Sequence, residues 1–268
     1  MELVSSNEPL IQTVRIHGNA GGVYLPKIWV GMKVEVRLLE PKQRAIEILA
    51  PVLAQVEAAC FYGSWARGEQ TKESDLDIFV ISEEEIKVIP QPNVEVHART
   101  QAQIKSAEGS DLLFYQSILH EAKPLINSKT LERLRRKIKP EELSWLVNST
   151  EVRLPMMNEL IDEETYTPSL IYSLIMRIRA KYLAQCLLAE KKYTTLGIEN
   201  LVLKTGLEGK NWQDIYAVYR AVRDNKKPPK PKIYIEDLKT LLTLLTRETK
   251  RLKRTTHAKK KKTTEKSD

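Results

Sequence analysis

Asp75 and Asp77 stand two residues apart at the head of the apolar run 76–81. On an extended backbone, residues i and i+2 project from one face, so both carboxylates point one way while Leu76 and Ile78 point the other. Paired carboxylate oxygens suit a hard divalent cation such as Mg2+ or Mn2+. Gly63 and Ser64 lie upstream, where the apolar run 58–62 ends, with ten residues between Ser64 and Asp75. The first N–H groups of a helix have no intrahelical acceptor and can face a phosphate. The stretch 60–82 therefore reads as strand, turn, short helix and second strand, an anion cradle followed by a cation site.

The string Gly-Ser-x-Ala-Arg-Gly-Glu at 63–69 and Ser-Asp-Leu-Asp at 74–77 resembles the nucleotidyltransferase superfamily that includes DNA polymerase beta, and within it the minimal nucleotidyltransferases of prokaryotes and archaea. The resemblance covers roughly residues 41–127 and rests on several constraints at fixed spacing. It implies an NTP-dependent, two-metal transferase using Mg2+ or Mn2+, with ATP the first nucleotide to expect. Asp75 and Asp77 would be catalytic and metal-binding. Gly63, Ser64 and Arg67 would meet the phosphates, and Ser74, the remaining residue of the nucleotide site, would cap or orient the turn. Superfamily members carry a third carboxylate on a neighbouring strand, usually Asp in the relatives most like this chain. Glu95 is the one acid in position here, on the alternating stretch 93–98, where Asn93, Glu95 and His97 share a face opposite Val94 and Val96. His97 reads as a neighbour, because Mg2+ prefers oxygen. Lys72 is a second cation beside the turn, and Trp65 is read as packing before base stacking.

These residues need elements to hold them. Residues 42–53 show a helical face at Ile46, Leu49, Ala50 and Leu53, ended or kinked at Pro51. Residues 111–122 continue in helical spacing, and 123–126 close the catalytic unit. Helical patterns follow at 141–161, 168–191, 196–204, 212–223 and 235–254, with Pro228, Pro229 and Pro231 separating the last two. The expected class is α+β: a small β module at 1–40, a nucleotidyltransferase domain with a short mixed sheet at 41–130, an all-α domain at 131–254 and a disordered basic tail at 255–268. The run Arg177-x-x-Ala-Lys-Tyr-Leu resembles the helical partners of nucleotidyltransferases, of the HEPN and kanamycin-nucleotidyltransferase C-terminal types. The Arg-x-x-x-x-x-His ribonuclease signature of HEPN proteins is missing, so cleavage is not expected, and Arg177 and Tyr182 read as packing or cleft residues.

In the first forty residues, short alternating runs near Val14 and Ile16 and again at Val34, Val36 and Leu38 predict strands between glycine turns. The order Gly-Asn-x-Gly-Gly-Val-x-Leu-Pro-Lys-x-Trp-x-Gly at 18–31 resembles AbrB-like swapped-hairpin domains and short archaeal transposon-associated proteins, which implies a homodimer and contact with DNA. Only Arg15, Lys27, Lys33 and Arg37 are basic across residues 11–39, which favours dimerisation or packing over DNA reading.

The chain has 268 residues, 42% hydrophobic and 29% charged, with net charge +8. From Lys250 onward there are nine Lys or Arg and two acids, so the remainder is close to neutral. The tail stands open to two readings, a solvated end or nonspecific contact with nucleic acid phosphates. No apolar run approaches the ~20 residues of a membrane helix, and the N-terminus lacks signal-peptide order; a cytoplasmic protein without membrane contact is expected. Cys60 and Cys186 read as core thiols. The acceptor stays open between a protein hydroxyl, RNA and a small molecule. The competing reading is an antitoxin or DNA-binding regulator built on a degenerate nucleotidyltransferase fold, against which the intact Asp75 and Asp77 speak.

Overall fold

A computed structural model describes residues 10, 12, 14–36, 41–71, 74–163 and 167–264, with side chains as far as Thr256. The chain divides into two units, Met1–Glu40 and Pro41–Asp268.

In the first unit, β1 (Arg15–His17) pairs antiparallel with β2 (Ala20–Gly22), and a 3-10 turn follows at Lys27–Trp29. The strand expected at Val34, Val36 and Leu38 does not form over residues 32–36, and Leu38 lies outside the described residues. None of the described side chains of this unit is buried, and Ile16, Ile28 and Val30 are each at least 70% exposed. A lone two-stranded ribbon has no second layer against which to bury its apolar face.

The second unit begins with α1 (Pro41–Leu49) and a four-stranded sheet of order β5-β4-β3-β6. Its strands are β3 (Val56–Phe61), β4 (Leu76–Ser82), β5 (Val94–Thr100) and β6 (Lys123–Ile126). β3 runs antiparallel to β4 and β6, while β4 and β5 are parallel. The period of two sorts the side chains of the two central strands. Ala59, Phe61, Leu76, Ile78 and Val80 pack on Ala45 and Leu49 of α1. Ala58, Cys60, Phe79 and Ile81 face the other way, against α3 (Gln101–Lys105), α4 (Gly109–Glu121) and α5 (Ser128–Leu134).

The helical part carries α6 (Ser144–Glu151), α7 (Leu154–Asp162), α8 (Pro168–Leu188), α9 (Thr195–Leu203), α10 (Gly209–Arg223) and α11 (Ile235–Thr264). The single pattern read at 141–161 is broken between α6 and α7, where Pro155 occupies the first turn of the new helix; without an N–H, proline is tolerated there and not in a helix interior. Ile171, Leu174, Ile175 and Ile178 of α8 form the centre of a core closed by α7, α9, α10 and α11. Thr167 and Thr194 cap α8 and α9 by accepting from Leu170 and Gly197 N–H groups. The backbone of α11 continues to Thr264, past residue 255 where the tail is expected to begin, and residues 265–268 lie outside the described residues. The mixed α+β class read from the sequence is the class observed. Cys60 and Cys186 are both buried free thiols, and no helix among the described residues is long and apolar enough to cross a membrane.

Candidate active site

β4 carries the site. Asp77 shares the face of Phe79 and Ile81, and the parallel ladder sets it directly beside Glu95 of β5, with Phe79 beside His97 in the next register. The alternation read at 93–98 is thus realised, and β5 does lie against the aspartate strand. Asp75 stands just before β4, exposed, while Asp77 is half-buried. Burial pushes the Asp77 carboxyl up to about 7, and the charges of Glu95 and Asp75 add to the effect. A carboxylate raised by its own neighbours is short of positive charge, and a divalent cation with a preference for oxygen would supply it. The donor types therefore fit a hard metal ion. The side chains are not closed around a common point: among the described residues no three ligating groups converge. Glu95 is turned to His97, whose Nε2 lies 2.9 Å from Glu95 Oε1.

Gly63 opens α2 (Gly63–Arg67) with φ +66°, in the left-handed region, and a Cβ at this position would collide with Asp77 Oδ2. Only glycine lets the carboxylate lie over the turn. Gly68 closes the helix in the left-handed conformation. Ser64 is the second residue of α2. Ser74 Oγ accepts from the Thr71 N–H at 2.9 Å. Trp65 packs on the α1 side of the sheet, with its indole N–H buried and unpaired. Lys72 lies outside the described residues.

A further carboxylate, missed in the sequence, organises the turn. Glu121, the last residue of α4, accepts the Gly63 N–H through Oε1 at 2.7 Å and Arg67 Nη1 through Oε2 at 2.7 Å. Gly63 and Arg67, expected to meet phosphate, thus face an internal carboxylate. Arg67 Nε also donates to Glu69 at 2.8 Å, and its guanidinium lies 5.3 Å from the centre of the Tyr193 ring. Glu69 in turn accepts from Thr195 N–H and hydroxyl at 2.9 and 3.0 Å, which ties the turn to the start of α9. Tyr62 lies near the carboxylates; burial, then Asp77 and Glu95, drive its phenol far above the ordinary range. Its ring meets Phe114 edge-on, and Phe114 also meets His97. One signal for Glu121 exists in the sequence. An acid at a helix C-terminus opposes the helix dipole, and a local rule broken without local compensation points to a partner elsewhere.

The strand, turn and carboxylate order now has a counterpart among known proteins. Residues 43–131 match the polymerase beta nucleotidyltransferase family. The matched segment runs from α1 through the sheet and into α5. Among solved structures, the chain is similar to a nucleotidyltransferase-like protein from Exiguobacterium sibiricum 255-15, at 11% identity over 81% of this chain and 77% of that one, with a TM-score of 0.35. No curated protein matches the chain.

Proposed function

We propose that the protein transfers a nucleoside monophosphate from an NTP, with ATP the first to test, to an acceptor hydroxyl and releases pyrophosphate. The observation that carries this reading is the parallel register that sets Asp77 beside Glu95, with Asp75 on the approach and the Gly63 turn pressed against Asp77. Asp75 and Asp77 would hold a pair of Mg2+ or Mn2+ ions, with Glu95 completing the acceptor side. Such ions neutralise triphosphate charge and make the acceptor hydroxyl more acidic. Ser64 and Arg67 orient the phosphates, with Arg67 exchanging its bond to Glu121 for one to the nucleotide. The acceptor oxygen forms a bond to the α-phosphorus as the bond from that phosphorus to the bridging oxygen breaks. Pyrophosphate leaves, and Glu95 takes the hydroxyl proton. Two buried free thiols fit a reducing, cytoplasmic setting.

The test is incubation with labelled ATP, CTP, GTP and UTP, Mg2+ or Mn2+, and cell extract, comparing the natural chain with Asp77→Asn. The variant should melt at the same or a slightly higher temperature without ligands, because one repelling charge is gone. It should lose the melting shift given by Mg2+ with NTP, and it should not transfer label. Glu95→Gln should lower turnover and keep nucleotide binding. Transfer by Asp77→Asn at the natural rate would defeat the assignment.

A further inference from the structure

Arg67 is held from three directions: Nε donates to Glu69 at 2.8 Å, Nη1 donates to Glu121 at 2.7 Å, and the guanidinium lies 5.3 Å from the centre of the Tyr193 ring. Two of these holds are themselves anchored. The Tyr193 hydroxyl accepts from Arg179 Nε at 3.1 Å, and Glu69 is tied to Thr195. Arg67 thus keeps its place without Glu121. The turn before it is framed in the same way, since the Tyr62 N–H donates to the Asp77 carbonyl at 3.1 Å and the Glu69 N–H to the Ser64 carbonyl at 2.9 Å. What Glu121 adds is charge. Its two oxygens take the Gly63 N–H and Arg67 Nη1, both at 2.7 Å, and these are donors that an incoming phosphate would need.

Hydrogen bonds of this length to a charged group are roughly twice as strong as neutral ones. The Arg67 and Glu121 side chains are only 15% and 17% exposed, so water and salt screen the pair little. Nothing local favours a glutamate at this point, because an acid that ends a helix opposes its dipole. A carboxylate and a phosphate oxygen ask for the same donors and repel each other, so the seat holds one or the other. Glu121 also has somewhere to go. It lines a cavity together with Lys123, Arg135, Lys191 and Lys192, all exposed, so a carboxylate that leaves the turn meets positive charge on its other side.

We propose that Glu121 is a tethered competitor of the nucleotide: it occupies the phosphate seat in the free protein, yields it to the triphosphate and retakes it as pyrophosphate leaves. The inference rests on the transfer reading above for the identity of the anion, and on the bonds of the free protein for the competition. A ligand that must displace a seated group has its affinity lowered by the fraction of molecules whose seat is free. The same factor acts on triphosphate and pyrophosphate, so Glu121 loosens the hold on the product together with that on the substrate. Arg67 remains in reach throughout, because Glu69 and Tyr193 still position it.

The experiment measures binding of ATP and of inorganic pyrophosphate, each with Mg2+, by calorimetry on the full natural chain, on Glu121→Gln and on Glu121→Ala. Glutamine keeps an oxygen for the Gly63 N–H and presents no charge; alanine empties the seat. Both variants should bind both ligands roughly fivefold tighter or more, and pyrophosphate should inhibit their label transfer at lower concentration than it does for the natural chain. A carboxylate that merely braces the turn predicts the opposite sign, since a loosened turn binds phosphate more weakly. Melts on the same samples show which variant is folded, and one folded variant decides the matter. Equal or weaker binding in the folded variants would overturn the proposal while leaving the transfer reading in place if label is still transferred. Tighter binding with no transfer by any of the chains would keep the competition and sink the transfer reading. Binding of neither ligand by any chain would overturn both.

Discussion

Gly63 separates two carboxylates, Asp77 on one side and Glu121 on the other, and touches both. Gly63→Ala should therefore disturb the site before it disturbs the fold. The left-handed backbone costs an added side chain on the order of 1 kcal/mol, while the Cβ must push Asp77 off the turn. We expect a modest fall in melting temperature and near-complete loss of transfer, read by thermal melts and label incorporation on the same sample. A second residue-scale test lies far from the site. Lys181 is fully buried, and donates to Thr150 Oγ1 at 2.7 Å and to the Leu146 carbonyl at 3.2 Å. Burial, then Arg177, lowers its amine to about 7, with Glu151 opposing. The folded amine thus binds its proton more weakly than the unfolded one. Stability rises as pH climbs from about 7 towards the ordinary lysine value, and the penalty is fully present below about 7. Lys181→Met should flatten this rise and raise the melting temperature at pH 6, because the Thr150 hydroxyl still donates to the Leu146 carbonyl at 2.8 Å. An unchanged pH profile would show that Lys181 is not the group titrating.

The short helix α2 is held from two sides, by Glu121 of α4 and, through Glu69, by the first residue of α9. Glu69→Ala removes the acceptor of one Arg67 bond and two Thr195 bonds while leaving the Arg67 bond to Glu121 in place. Hydrogen bonds to a charged group contribute roughly 1.5 to 3 kcal/mol. A loss in that range by chemical denaturation, with transfer reduced less than in Asp77→Asn, is the expected result; no change in stability would mean that the contact is idle. Elements of this kind divide into those a sequence reveals and those it does not. The strand at 93–98 was legible because the alternation of Val94 and Val96 with Glu95 and His97 is a backbone rule. Glu121 was not, because its local signal, an acid at a helix C-terminus, names no partner, and Gly63 lies 58 positions away in the chain. The break between α6 and α7 was available in Pro155 but masked by apolar spacing that runs through it. The strand expected at 34–38 does not form over 34–36 for the opposite reason: alternation alone does not make a strand without a partner to pair with.

At the scale of the whole molecule, the buried clusters among the described residues lie within Pro41–Asp268, so deletion of residues 1–40 should leave a folded protein that still binds NTP. The first unit exposes Ile16, Ile28, Val30 and Met32, and none of its described residues is buried. Exposed apolar side chains on so small a unit favour association with another surface. The full chain should be a dimer by light scattering, as the resemblance of its N-terminal piece implies, and the deletion a monomer; a monomeric full chain would end that expectation.

The pairing of Asp77 with Glu95 also bears on how this chain can diverge. Residues 83–93 join the two parallel strands with no regular element of their own, and Ile89 in that segment is 71% exposed. Ile86 and Val88 pack against the core on the α1 side, but an insertion around the exposed Ile89 changes only the reach of a surface turn, so the length there is free to drift. One residue gained or lost within Val94–Thr100 is a different event, since it turns every later side chain to the opposite face. Gained before Glu95, it would send that carboxylate towards α1 and bring a valine beside Asp77. Descendants should therefore vary around Ile89 of the connector and keep strand parity intact, and a homologue with an odd shift in β5 should lack the proposed transfer.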